Sequence, residues 1–137
     1  MKHLLFAGLM LLAACGASTG ESAGVVQYEP AQTELTGTIE TETDYGPPGF
    51  GRTPEEDERL TAVVLVLDAP VTIQAAAESD DETLTAVTRI QLMRDDANMN
   101  PALAGQRVRV TGQIFTPTTG QWVTDAALRV ERIDPAE

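Results

Sequence analysis

Apolar residues in this chain recur mostly at every second position, in segments separated by Gly-, Pro- and acid-rich stretches. Over 34–43, "ELTGTIETET", Leu35, Gly37 and Ile39 alternate with Thr36, Thr38 and Glu40, the pattern of a half-buried strand. "TAVVLVLDAPVTI" (61–73) points Val63, Leu65 and Leu67 inward, and its Asp68-Ala69-Pro70 predicts a bend or bulge, where proline is tolerated. "LTAVTRIQLM" (84–93) offers Ile90 and Leu92 to a core. "QRVRVTGQIF" (106–115) sets Val108 and Val110 inside against Arg107 and Arg109 outside. "WVTDAALRVERI" (122–133) supplies Leu128, Val130 and Ile133. Between the third and fourth strands, "NPALAG" predicts one helical turn. Asn100 caps it, Pro101 suits its first position, and Gly105 ends it in a left-handed conformation.

Three strands, a short helical turn and two more strands is the order of an OB-like fold, a five-stranded Greek-key barrel. A β-sandwich is the competing all-β architecture, but it usually needs about seven strands. The expected domain runs over 34–134, about 100 residues, enough for one modest core. In such a barrel the loops after the first and fourth strands flank the binding face. Here they are 44–59 and 116–121.

The N-terminus follows a different pattern. Lys2 and His3 precede an apolar run from Leu4 to Ala14, then Cys15. This is too short to span a bilayer, which takes roughly 20 apolar residues, and reads as a secretory signal over 1–14. "LAAC" (12–15) resembles the lipobox of bacterial lipoproteins. That resemblance implies that the Cys15 thiol takes a diacylglycerol and that the signal is cleaved before it. Cys15 is the only cysteine, so no intramolecular disulfide exists, and lipidation accounts for a lone thiol in an oxidising compartment. Gly16 is not the aspartate of inner-membrane retention, so the resemblance favours the outer membrane where there is one. The segment 15–33 reads as lipidated cysteine plus tether, whose 18 residues after Cys15 reach about 60 Å when extended. "GASTG" within it matches GxSxG only by chance, beside an anchor and without strand, helix or partner histidine.

Composition then narrows the function. With Lys2 and His3 lost, the mature part keeps eight of the nine basic residues, all arginine, against 21 carboxylates, so 8 − 21 = −13. Such a surface repels polyanions, and nucleic-acid affinity rests on neutralising phosphates. It favours solubility and cationic partners. Lacking histidine and lysine, the domain has no Ser-His-Asp triad and no Ser-Lys pair; only carboxylates remain as acid and base. "DDANMN" (95–100) spaces Asp96, Asn98 and Asn100 like a calcium loop, but Pro101 takes the glycine position and Arg107 that of the bidentate glutamate. No metal or cofactor is expected. The acid runs 55–58 and 80–82 read as solvated faces, and Arg107, Arg109 and Arg129 as partners of neighbouring carboxylates.

The loop "DYGPPGFGRTPEEDE" (44–58) exceeds the usual length for a loop without structure of its own, a sign of function or of disorder. Its prolines and glycines fix sharp turns around Tyr45 and Phe50, two of six aromatics in the chain. Thr53 can cap the turn that follows, and Asp57 reads as an acceptor for loop amides. At these residues the chain resembles a family of small secreted bacterial domains of unknown function, marked by Tyr-Gly-Pro-Pro-x-aromatic-Gly and a following Pro-x-x-Asp. Tyr45, Gly46, Pro47, Pro48, Phe50, Gly51, Pro54 and Asp57 carry the match, which extends over about 34–133. The resemblance implies an OB-like barrel and no activity. Its members' histidine cluster, after the Thr-Gly matching Thr119-Gly120, is replaced here by Gln121, Trp122 and Val123.

The candidate face therefore comprises Tyr45, Pro47, Pro48, Phe50 and Asp57 with Thr119, Trp122 and Thr124. Tyr45 and Phe50 are expected chiefly to plug the barrel end beside Trp122, leaving the loop's rim for contact. Three functions compete. A carboxylate-dependent hydrolase such as a glycosidase needs two acids about 5–10 Å apart across a cleft, and nothing marks such a pair. An oligonucleotide-binding barrel conflicts with the charge and the few stackable aromatics. The expected function is a membrane-anchored envelope lipoprotein that binds a protein, peptide or cell-wall glycan without catalysis.

Overall fold

The computed structural model describes residues 24–95, 99–118 and 122–136. Its strands are β1 (Gly24–Gln27), β2 (Thr33–Tyr45), β3 (Arg59–Gln74), β4 (Leu84–Met93), β5 (Arg107–Phe115) and β6 (Ala127–Pro135), with a 3-10 turn at Pro101–Leu103. β2 pairs antiparallel with β3 from Gly37↔Leu67 out to Tyr45↔Arg59, and with β5 on its other side from Thr33↔Gly112 to Thr38↔Arg107. β5 pairs antiparallel with β6, β6 runs parallel to β4 over Gln91–Met93, and β4 returns antiparallel to β3. The wall closes as a five-stranded barrel in the OB-like order.

Period-two alternation builds its interior. Leu35, Ile39, Val63, Leu65, Leu67, Ile90, Leu92, Val108, Val110, Leu128 and Val130 are all buried, and Ile133 packs against them half-buried. Gly37 lets β2 approach β3 closely, since a Cβ there would stand 2.2 Å from the Val66 carbonyl oxygen. The register of β3 on β4 shifts between Val66 and Val71, across Asp68-Ala69-Pro70, where proline has no N–H to offer a ladder. The helical turn forms as its residues dictate: Asn100 accepts from the Ala102 N–H through its side chain, and Gly105 has φ of 89°.

The expected tether is shorter than 15–33. Residues 24–27 pair parallel with Val71–Gln74 of β3 as β1, and Tyr28, only 5% exposed, enters the core. Its hydroxyl donates to the Glu82 carbonyl at 2.7 Å, and the Glu29 N–H donates to the Ile114 carbonyl. Below Gly37, β2 no longer pairs with β3, and β1 satisfies the free backbone groups that remain. Tyr28 thus fills the barrel end crossed by the 75–83 connection. Met99 and the half-buried Leu103 join the core from beside the 3-10 turn, where the Gly105 N–H bonds the Ile39 carbonyl.

The outer face is also built by distant pairs. Ala62 and Val64 point away from the core yet are buried. Arg89 and Glu42, on the strands flanking β3, form an ion pair, and the register sets Val64 between them. The arginine's alkyl stem accounts for this shielding. Of the arginines expected to meet carboxylates, Arg107 pairs with Asp68, Arg109 with Glu34 at 4.0 Å, and Arg129 with Glu29 at 2.8 Å and Asp95 at 3.2 Å. Exposed pairs of this kind contribute at most about 1 kcal/mol each, so they set neighbours more than stability.

Candidate functional site

The β2–β3 hairpin outruns the barrel. β5 begins opposite Thr38 and β4 ends opposite Ala62–Val63, whereas β2 and β3 keep pairing to Tyr45↔Arg59. The last turns of the ladder form a two-stranded arm, with residues 46–58 at its tip. This placement overturns the expectation of a plug. Phe50 is 63% exposed, and Tyr45 is half-buried beside Gly51, outside the core cluster. Tyr28 and Met99 join the core cluster, which Tyr45 and Phe50 do not.

The tip is nevertheless tightly organised, and Asp57 is its centre. Only 7% exposed, its carboxylate accepts from the Gly49 N–H at 2.6 Å, the Gly51 N–H at 2.7 Å, the Thr53 N–H at 3.2 Å and the Thr53 hydroxyl at 2.8 Å. Desolvation raises the Asp57 pKa, but the bonds from the Thr53 hydroxyl and the three amides outweigh it, so the carboxyl titrates below its ordinary value. Both oxygens are occupied, which makes the group an organiser of the loop. Gly49 is required for the close approach: a Cβ there would meet Thr53 Oγ1 at 2.3 Å and Asp57 Oδ1 at 2.7 Å. Around this knot the Gly46 N–H bonds the Glu58 carbonyl, the Glu58 N–H bonds the Pro47 carbonyl, and the Phe50 N–H bonds the Gly46 carbonyl. Pro47 and Pro48, joined by a cis peptide bond, are exposed.

Phe50 sits between the two glycines whose amides are tied to Asp57. Its φ is +50°, a left-handed conformation that costs a non-glycine residue about 1–2 kcal/mol. The exposed flank of the tip is acidic, with Glu55, Glu56 and Glu58 against Arg52 and Arg59.

Along the β3 side of the arm and down to its base lies a groove of about 470 Å³, walled by Arg59–Val63 of β3, Gln91–Arg94, Met99, Pro101 and Trp122. Trp122 also meets Phe115 edge-on, ring centroids 5.6 Å apart, while the Arg129 guanidinium stacks 4.7 Å over Phe115. Trp122 therefore stands beside the base of the arm and belongs to the outer wall. The last strand was expected to start there but begins at Ala127, because 122–126 crosses beside β4 instead. Thr124 holds that crossing: its hydroxyl accepts from the Gln91 N–H at 2.9 Å and donates to the Ala126 carbonyl at 2.7 Å, while the Gln91 side chain accepts from the Val123 N–H. Thr124 is thus engaged in holding a segment, with its hydroxyl already bonded on both sides.

Cys15 and Thr119 lie outside the described residues, as do Asp96 and Asn98. Among the described residues no group of three or more His, Cys, Asp or Glu side chains converges as a metal site. The groove and the protruding Phe50 are what residue-level reasoning missed. Both depend on how far the hairpin extends, and only the alternation through Thr43–Tyr45 and Arg59–Thr61 hinted at that length.

Fold and site define a small closed OB-like barrel that carries a projecting, knotted arm over an outer groove. No family model, curated protein or solved structure matches the chain.

Proposed function

We propose that the protein is a lipid-anchored envelope lipoprotein and that its barrel is a scaffold for non-catalytic recognition through the arm and the groove beneath it. Cys15, behind a short apolar signal, supplies the anchor, and the arm points the recognition surface away from the barrel. One observation carries the reading: a loop of thirteen residues, 46–58, is held rigid by its own hydrogen bonds while its one large apolar side chain faces solvent. A purely structural loop has no use for that arrangement, since locking a loop in its bound shape chiefly lowers the entropy lost on binding.

The acids do not favour a hydrolase. Asp57, the most organised carboxylate at the site, is saturated by donors and its pKa moves down, away from that of a general acid. A polyanion fares no better, because Glu40 and Glu42 on β2 flank the outer face where an OB-like barrel would lay an oligonucleotide. A protein, peptide or cell-wall glycan of the envelope fits the arm and groove best.

The test replaces 46–58 by a two-residue Asn-Gly turn, which the antiparallel Tyr45↔Arg59 register accepts. Wild type is expected to retain a defined envelope component on cross-linking, and the short-arm variant to lose it while melting normally. Equal retention by both proteins refutes the arm's role. For the anchor, the wild-type protein should partition into detergent and Cys15→Ser into the aqueous phase; identical partitioning refutes lipidation.

A further inference from the structure

The barrel wall carries a seam where its last two strands meet. β4 and β6 pair over Gln91–Met93 alone, and N-terminal to Gln91 the chain opposite β4 is the crossing 123–126, which is not a strand. There the Gln91 N–H meets the Thr124 hydroxyl in place of a backbone carbonyl. Backbone groups facing one side of a strand recur at every second residue, so the N–H and C=O of Arg89 point into the same seam. Among the described residues no strand pairs with 84–90 on that side. Between Thr83–Arg89 and Val123–Ala126 the seam opens as a groove of about 510 Å³. We infer that this edge of β4 is a second binding site, which takes an extended, basic peptide segment as an added strand.

The occupant follows from the groups the groove presents. An open strand edge offers backbone donors and acceptors in a row, an array that an extended polypeptide matches. Half-buried Leu84, Val87 and Val123 line the groove beside exposed Thr85 and Thr88, so small apolar and hydroxyl contacts flank the ladder. Charge then selects the sequence. Asp125 lines the groove, and an adjoining hollow that shares Leu84 and Asp125 adds Asp80 and Glu82. Among the described residues none of these three acids forms an ion pair with an arginine, whereas Arg89 in the groove wall is held by Glu42. That end of the groove is an unbalanced negative field. It favours a cationic side chain and disfavours a second copy of this acidic chain.

The same strand limits how much can pair. Ala86 turns to φ of 55°, and the register of β4 on β3 slips between Val66 and Val71 and again before Ile73. A break of this kind blunts an edge against indiscriminate pairing. The added strand therefore bonds to Arg89 and its neighbours and draws the rest of its affinity from the acids. This site lies on the barrel wall and does not depend on the reading of the arm.

The probe is a hexapeptide of alternating arginine and valine, titrated into the isotope-labelled full chain carrying Cys15→Ser and followed by amide chemical shifts. Shifts at 84–89 and 123–126 that saturate below about 1 mM are expected, with the Arg89 N–H gaining exchange protection. Methylating the peptide's backbone nitrogens leaves its charge intact and should weaken binding at least about tenfold, because the ladder is lost. Replacing its arginines by glutamate should abolish binding. Asp125→Asn, at an exposed position, should weaken it about threefold, and shortening the arm should leave it unchanged. The inference is overturned by an absence of shifts at millimolar peptide, by shifts confined to 78–82, or by a methylated or acidic peptide that binds equally well. An Asp125→Asn affinity like that of wild type, or binding that disappears with the arm, overturns it too. So does a dimer of the free chain in which the 84–89 amides are already protected, since a second copy then holds the edge.

Discussion

Phe50 gives the sharpest test of how this loop is used, because a plug and a protruding anchor predict opposite energetics. A buried aromatic changed to alanine costs about 3–5 kcal/mol. Phe50 is 63% exposed, so only about 75 Å² of a side chain worth roughly 200 Å² is shielded. At about 25 cal/mol per Å² that shielding contributes at most about 2 kcal/mol, an upper bound because the unfolded chain buries part of it too. Alanine keeps the left-handed backbone at φ +50°, so Phe50→Ala loses the contact and relieves no strain. Glycine loses the same contact but recovers about 1–2 kcal/mol of backbone strain, less about 0.5–1 kcal/mol for the extra freedom of its unfolded chain. Phe50→Ala should therefore destabilise by less than about 2 kcal/mol, and Phe50→Gly by no more than Phe50→Ala. Urea unfolding followed by far-ultraviolet circular dichroism measures both. A loss above about 3 kcal/mol for alanine, or a glycine variant less stable than the alanine one, refutes the exposed, strained geometry.

Two further predictions concern the frame of the site. Tyr28→Ala should cost about 3–5 kcal/mol as a core aromatic, and Tyr28→Phe about 1 kcal/mol for the bond to the Glu82 carbonyl; an alanine variant melting like wild type would show that β1 and Tyr28 are dispensable. The lowered Asp57 pKa fixes the sign of the loop's acid response. A carboxyl depressed on folding stabilises fully above its unfolded value near pH 3.8 and loses that contribution as pH falls through its lower folded value. Protection of the Gly49 and Gly51 amides, taken relative to the intrinsic exchange rate at each pH, should accordingly hold at pH 5 and fall only on acidification below about pH 4; amides unprotected at neutral pH contradict the knot.

Much of the barrel was legible because it is a local, periodic code. Ile39, Leu65, Ile90, Val110 and Leu128 occupy alternate positions in strands with one face to the core, and each lies inside with 0% exposure. Asn100, Pro101 and Gly105 announced the helical turn through their own backbone preferences. The features that escaped depend on partners distant in sequence. β1 is four residues inside a small, polar stretch, and only the open edge of β3 at Val71–Gln74 makes it a strand. Burial of Val64 on the outer face needs Glu42 and Arg89 from two other strands. The late start of β6 at Ala127 follows from the Thr124–Gln91 bonds across 33 positions. At the site, Asp57 was readable as an amide acceptor because its donors sit within eight residues. The exposure of Phe50 was not, because it turns on how far a ladder continues.

That contrast also explains why recognition and stability can be separated in this molecule. Every bond of the Asp57 knot spans eight residues or fewer, and the β2–β3 ladder carries the arm out from the barrel. The core draws its further members from elsewhere, Tyr28 from the N-terminal segment and Met99 from beside the 3-10 turn. The tip can therefore change its side chains without opening the core, and the core can be repacked without moving the tip relative to its own anchoring carboxylate. An OB-like barrel usually recruits ligands on its wall between two loops. Here part of that wall is closed over Val64 by the Arg89–Glu42 pair, while grooves stay open along the arm and along β4 beside 123–126. Contact is thereby displaced onto a rigid projection and the groove beside it, which is where substitutions should alter association while leaving the fold intact.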